Sequence, residues 1–122
     1  MTKTILAVDD SRTMRDMVSY TLKGAGFEVV VAEDGEDALT HLTSARNFDL
    51  IITDLNMPKL DGFGLIEQAR ANAHYKYTPI LMLTTEADAE KKERGKTIGA
   101  TGWIVKPFNP EKLIQIVNRV CA

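Results

Sequence analysis

Residues 5–11 read Ile5-Leu6-Ala7-Val8-Asp9-Asp10-Ser11, four apolar residues running without a break into two aspartates and a serine. The run is too short for a buried helix, and it lacks the alternation of a strand with one wet face. It fits a strand covered on both sides, as in a parallel sheet. Helical period follows at once: Met14, Met17, Val18 and Leu22 fall at i, i+3, i+4 and i+8. Ser11 is placed to cap that helix, and Gly24 and Gly26 supply a stop.

The same unit recurs down the chain. Val29-Val30-Val31-Ala32, Leu50-Ile51-Ile52, Ile80-Leu81-Met82-Leu83 and Trp103-Ile104-Val105 are further short runs of strand type. Helices are expected between them: one through Ala38, Leu39 and Leu42 after Asp34-Gly35, and one through Phe63, Ile66 and Ala69-Arg70 after Asp61-Gly62. Glu86 to Lys96 is almost wholly polar, so it reads as a weakly anchored helix, with Gly95 weakening its far end. Leu113, Ile116, Val117 and Val120 form the best helical stripe, starting after Asn109-Pro110. The segment Tyr75-Lys76-Tyr77 reads as loop, and His41 and His74 as surface residues. Five strands alternating with five helices define an α/β domain with right-handed crossovers.

Composition bounds the function. At 122 residues, 44% hydrophobic and 26% charged, the chain is expected to be one globular domain over 1–122 with no effector domain attached. Fifteen Lys+Arg against 17 Asp+Glu give a net charge of −2, so no basic field recruits nucleic acid or an anionic membrane. A single cysteine, Cys121, excludes a disulfide framework, and near a frayed end it is expected to be inert. No apolar run is long enough to span a bilayer, and no signal-peptide pattern opens the chain, so a cytoplasmic protein is expected.

The chemistry gathers where the strands stop. Asp9 and Asp10 follow the first, Asp54 the third, Thr84 ends the fourth and Lys106 follows the fifth. In open parallel sheets the crevice beyond the carboxyl ends of the strands is where ligands bind. Three carboxylates converging there repel one another unless a cation joins them. One divalent ion together with Lys106 brings the formal charge of the group to zero. Oxygen ligands without His or Cys point to a hard ion, and incomplete caging favours Mg²⁺. Taken singly, Asp-Asp before a helix can be a cap, Lys before Pro a solvated loop residue and Thr a strand former. Only the set carries the inference.

Val8-Asp9-Asp10-Ser11, Asp54-Leu55-Asn56-Met57-Pro58, Asp61-Gly62, Thr84-Thr85-Glu86 and Lys106-Pro107-Phe108 match, in order and spacing, the motifs of response-regulator receiver domains. The chain resembles that family over its whole length, and within it the single-domain chemotaxis regulators. The resemblance implies a flavodoxin-like, doubly wound five-stranded parallel sheet in the order 2-1-3-4-5. It implies that Asp54 is the phosphoacceptor. Mg²⁺ would be bound by Asp10, Asp54 and the backbone carbonyl of Asn56, with Asp9 acting through water. Lys106 and Thr84 would contact the phosphoryl group, and Lys106-Pro107 would be cis. Met57-Pro58 and Asp61-Gly62 would shape the loop beside Asp54.

Phosphorylation adds charge and strong acceptors. By resemblance, Thr84 then moves toward the phosphoryl group and a ring on the fifth strand fills the vacated space. Here that ring is Trp103, where the family usually has Tyr or Phe. An indole is larger and donates but does not accept a hydrogen bond, so the usual swing does not carry over unchanged. Asn56 and Glu86 can hold an attacking water, which implies loss of phosphate in seconds to a minute, a barrier of roughly 18–21 kcal/mol. The output face would be the fourth helix, fifth strand and fifth helix: Lys91, Lys92, Trp103, Val105, Lys112 and Ile116.

The expected function is therefore a monomeric signalling module rather than an enzyme. A histidine kinase, of chemotaxis type, would phosphorylate it, and it would then bind a downstream protein such as a flagellar motor switch or a phosphatase. The fourth helix offers less apolar surface than motor-binding regulators have. A phosphate sink or phosphorelay intermediate is the alternative. A Mg²⁺-dependent aspartyl-phosphate phosphatase would need a second acid-base carboxylate where Asn56 stands. A nucleotide or flavin binder would need a glycine-rich loop after the first strand, and none follows it.

Overall fold

The computed structural model describes residues 2–122. Its elements alternate throughout: β1 (Thr4–Val8), α1 (Arg12–Gly24), β2 (Glu28–Ala32), α2 (Gly35–Leu42), β3 (Leu50–Thr53), α3 (Gly62–Ala71), β4 (Ile80–Thr84), α4 (Ala89–Ile98), β5 (Gly102–Val105) and α5 (Pro110–Val120). The strands form one sheet in the order β2-β1-β3-β4-β5, every pair parallel. This is the expected flavodoxin-like arrangement.

Side chains alternate across a strand, so each strand feeds two cores. On one side Leu6, Ile51, Ile80 and Met82 pack with Ala38, Leu42, Phe63, Ile66 and Ala69 of α2 and α3. On the other, Ile5, Ala7, Leu50, Ile52, Leu81 and Leu83 pack with Val18 and Leu22 of α1 and Leu113 and Val117 of α5. Each of the larger side chains, Val, Leu, Ile, Met or Phe, stabilises the fold by roughly 1.5–3 kcal/mol. The reading of strands covered on both faces is right for β1, β3 and β4. It fails at the edge strands β2 and β5, where Val31 and Val105 are 40% and 39% exposed.

A short polar side chain caps every helix. Ser11, Asp34, Asp61, Asp88 and Asn109 accept hydrogen bonds from Met14, Asp37, Gly64, Lys91 and Lys112 N–H groups respectively. Each cap is worth about 1 kcal/mol. Because Asp88 caps α4, that helix starts three residues later than expected, and Glu86 is left in the β4–α4 loop. Gly95 does not end the helix: it is buried, and α4 continues past it to Ile98. Of the α1 stripe, Val18 and Leu22 are buried, whereas Met17 is 48% exposed beside Tyr20.

Tyr75 is also more than loop. Its ring is buried and its hydroxyl donates to the Arg46 carbonyl at 3.2 Å. Next to it, Arg70 donates to the carbonyls of Tyr75, Thr78 and Gly99 at 2.8, 2.6 and 2.8 Å. That guanidinium ties the end of α3 to the loop before β4 and to the end of α4.

Candidate functional site

The parallel register sets Val8 beside Thr53 and Thr84 beside Val105, so the strand ends share one rim. Asp9 and Asp54 emerge there buried, at 4% and 8% exposure, while Asp10 is exposed. Carboxylate oxygens of Asp9, Asp10 and Asp54 lie within 4.8 Å of one another. The Lys106 Nζ donates to Asp9 Oδ2 at 2.7 Å and lies 3.2 Å from Asp54 Oδ2. Lys106-Pro107 is cis, as expected.

The second oxygen of each buried aspartate is held by main chain. Asp9 Oδ1 accepts from Ser11 N–H at 2.9 Å and Asp54 Oδ1 from Leu55 N–H at 2.8 Å. Arg15, which the sequence reading did not single out, donates to the Asp9 carbonyl at 2.7 Å. No motif pointed to it, because its contact is with main chain. Burial pushes the Asp9 carboxyl above its ordinary pKa, against the pull of Lys106 and the Ser11 N–H. For Lys106, burial works against the charge, but the Asp9 and Asp54 carboxylates outweigh it and raise its pKa.

This donor set fits a hard divalent cation. It is all oxygen, it has one solvent-facing member in Asp10, and its carboxylates converge closely enough to share an ion. One ammonium against three carboxylates leaves negative charge for such an ion to neutralise. The backbone of Asn56 lies in the loop directly after Asp54, where its carbonyl could join them.

Around this centre the other site residues form a second group. Thr84 is fully buried, and its Oγ1 accepts from the Glu86 N–H at 3.3 Å. Asn56 and Glu86 lie at the solvent-facing side of the site and are paired with each other: Asn56 Nδ2 donates to Glu86 Oε1 at 2.9 Å. The other carboxylate oxygen of Glu86 accepts from Lys91 Nζ at 3.0 Å. Lys91, and then Asn56, hold the Glu86 carboxyl below the usual carboxylate range, and Glu86 in turn raises the Lys91 ammonium. The indole of Trp103 donates to the Glu86 carbonyl at 2.8 Å and packs 6.4 Å, centroid to centroid, from Phe63.

Two glycines make room for this arrangement. A β-carbon on Gly62 would lie 2.4 Å from the Asp54 carbonyl oxygen, so only glycine lets α3 start against the main chain of Asp54. One on Gly95 would lie 2.7 Å from the Trp103 ring. Asp61-Gly62 therefore shapes the loop beside Asp54, as expected.

On the expected output face, Lys92 and Lys112 are exposed and Trp103 and Ile116 half-buried, with Ile116 packed toward the core. Lys91 belongs to that face but is engaged by Glu86. A groove of about 300 Å³ lies there, lined by Lys92, Lys96, Ala100, Thr101, Gly102 and Trp103. Of these, only Lys92 and Trp103 are among the residues that the sequence assigns to that face. His74 is exposed, whereas His41 is half-buried, edge-on to Phe48 at 6.5 Å. Neither histidine approaches the carboxylates as a ligand among the described residues. Burial raises the pKa of the half-buried Cys121 thiol.

Residues 5–118 match the response regulator receiver domain family. This chain belongs to that family. The receiver is 38% identical over 117 residues to the chemotaxis protein CheY of Pseudomonas aeruginosa, covering 95% of this chain and 94% of that protein. It is 40% identical over 111 residues to the probable transcriptional regulator ycf27 of Cyanophora paradoxa, covering 91% of this chain but only 45% of that longer relative. Among solved structures it superposes on the chemotaxis protein CheY4 of Vibrio cholerae with a TM-score of 0.93 at 54% identity, covering 98% and 99% of the two chains. No helix among the described residues of the receiver is long and apolar enough to cross a membrane.

Proposed function

We propose that this receiver accepts a phosphoryl group on Asp54 from a phosphohistidine of a histidine kinase and signals through the α4–β5–α5 face. The observation that carries this reading is the cluster of Asp9, Asp10 and Asp54 with Lys106 set 2.7 and 3.2 Å from two of them. Asp54 Oδ2 attacks phosphorus, and the bond to the donor imidazole nitrogen breaks with its electron pair staying on the ring. Lys106 then pairs with phosphoryl oxygens, and the Thr84 hydroxyl donates to the same group. Mg²⁺ held by Asp10, Asp54 and the Asn56 carbonyl, with Asp9 behind a water, would supply charge neutralisation, the main demand of phosphoryl transfer.

Similarity to chemotaxis regulators supports a chemotaxis kinase as donor and a cytoplasmic setting. The lysines around the α4–β5 groove suit an acidic partner segment, and a phosphate sink remains the alternative output. The test is Trp103 fluorescence with Mg²⁺ and beryllofluoride or acetyl phosphate. A saturable, Mg²⁺-dependent change that Asp54→Asn abolishes is expected. Turnover of a stable phosphoester without that change would instead favour a phosphatase.

A further inference from the structure

Lys91 stands on α4, away from the aspartates, yet it is the outer end of a chain of hydrogen bonds that reaches the loop of Asp54. Its Nζ donates to Glu86 Oε2 at 3.0 Å, and Glu86 Oε1 accepts from Asn56 Nδ2 at 2.9 Å. Asp88 Oδ2 lies 3.9 Å from the same ammonium and helps keep it in place. Asn56 and Glu86 thus turn one donor and one acceptor toward each other, which fixes the direction of the amide and the carboxylate that would hold a water beside Asp54. Turning either side chain toward that water competes with this pairing, and Lys91 opposes the turn of Glu86 by holding the far oxygen of its carboxylate.

We infer that Lys91 is a positioning residue that prolongs the phosphorylated state by holding Glu86 closed on Asn56. The inference rests on the phosphoacceptor reading of Asp54. In the step it governs, a water oxygen bonds to phosphorus as the P–O bond to Asp54 breaks. The electron pair returns to the carboxylate, and the water protons leave with inorganic phosphate.

The experiment phosphorylates wild type, Lys91→Ala, Lys91→Arg, Glu86→Ala and the Lys91→Ala/Glu86→Ala double variant with acetyl phosphate and Mg²⁺. Loss of phosphate is then followed through Trp103 fluorescence and by phosphate-affinity electrophoresis after removal of the donor. Lys91→Ala is expected to lose phosphate roughly three- to tenfold faster, the rate equivalent of one modest hydrogen bond. Lys91→Arg is expected to restore the slow rate, and Lys91→Ala is expected to have no further effect once Glu86 is alanine. A Lys91→Ala lifetime equal to or longer than wild type overturns the inference. So does an acceleration that persists undiminished without Glu86, or one that arginine does not reverse. Normal phosphorylation with unchanged lifetimes defeats this inference alone, whereas failure of wild-type Asp54 to take phosphate defeats the reading beneath it as well.

Discussion

Gly95→Ala is expected to destabilise the protein, although helix propensity alone says the opposite. Replacing a mid-helix glycine by alanine normally stabilises by about 1 kcal/mol. At this position the added methyl would come 2.7 and 3.2 Å from two atoms of the Trp103 ring and 3.7 Å from the Ala100 methyl. The indole cannot turn aside without cost, because its N–H donates to the Glu86 carbonyl and its ring packs against Phe63. Overpacking of this kind costs about 1–3 kcal/mol, and loss of the indole hydrogen bond adds about 1 kcal/mol if the ring is expelled. The net expectation is a loss of about 1 kcal/mol, or a fall in Tm of about 4 °C for a domain of this size. Thermal and urea unfolding followed by circular dichroism measure it, and Trp103 emission reports ring displacement as a red shift. In a Trp103→Ala background the clash is gone, and Gly95→Ala should there stabilise by up to about 1 kcal/mol. If Gly95→Ala stabilises equally in both backgrounds, the steric argument fails.

Three further outcomes are expected. Arg70→Met strips charged donors from the carbonyls of Tyr75, Thr78 and Gly99 and should cost about 2–3 kcal/mol in urea unfolding; a loss under 0.5 kcal/mol would show that water replaces the guanidinium at no cost. Lys106→Met removes the ammonium from between Asp9 and Asp54, so Mg²⁺ should raise Tm by more in the variant than in wild type. Equal Mg²⁺ shifts in a thermal-melt series would contradict that. Cys121, half-buried with its thiol pKa raised, should react with iodoacetamide at pH 7 several-fold more slowly than in the urea-unfolded chain. Equal rates would mean the C-terminal turn is open.

The sheet and its rim were legible in the sequence because both rest on local signals. Short apolar runs end at or just before Asp9, Asp54, Thr84 and Lys106, and a parallel sheet can only bring such ends to one side. The helix starts were equally plain where Ser11, Asp34, Asp61 and Asn109 precede a periodic segment. What escaped depends on partners distant in the chain. Tyr75 reads as loop until the Arg46 carbonyl meets its hydroxyl, and Gly95 reads as a defect until Trp103 occupies the space above it. Glu86 and Asn56 were each recognised, but their mutual bond and the hold of Lys91 on Glu86 follow from the loop geometry that the Asp88 cap imposes. Arg15 left no trace at all, since a main-chain carbonyl is an acceptor every residue offers.

The contact of Arg70 with Gly99 has a mechanical consequence. It anchors only the last turn of α4, while the first turn is steadied by the Asp88 cap and the Glu86–Lys91 pair. A ten-residue helix is about 15 Å long, so a tilt of about 10° about the anchored end sweeps its first turn through roughly 2.6 Å and leaves the other end at rest. The helix is then a lever with its fulcrum at Gly99 and its long arm at the rim. A rearrangement of side chains beside Asp54 would thereby be passed to the start of α4, next to Lys91, and not to its far end.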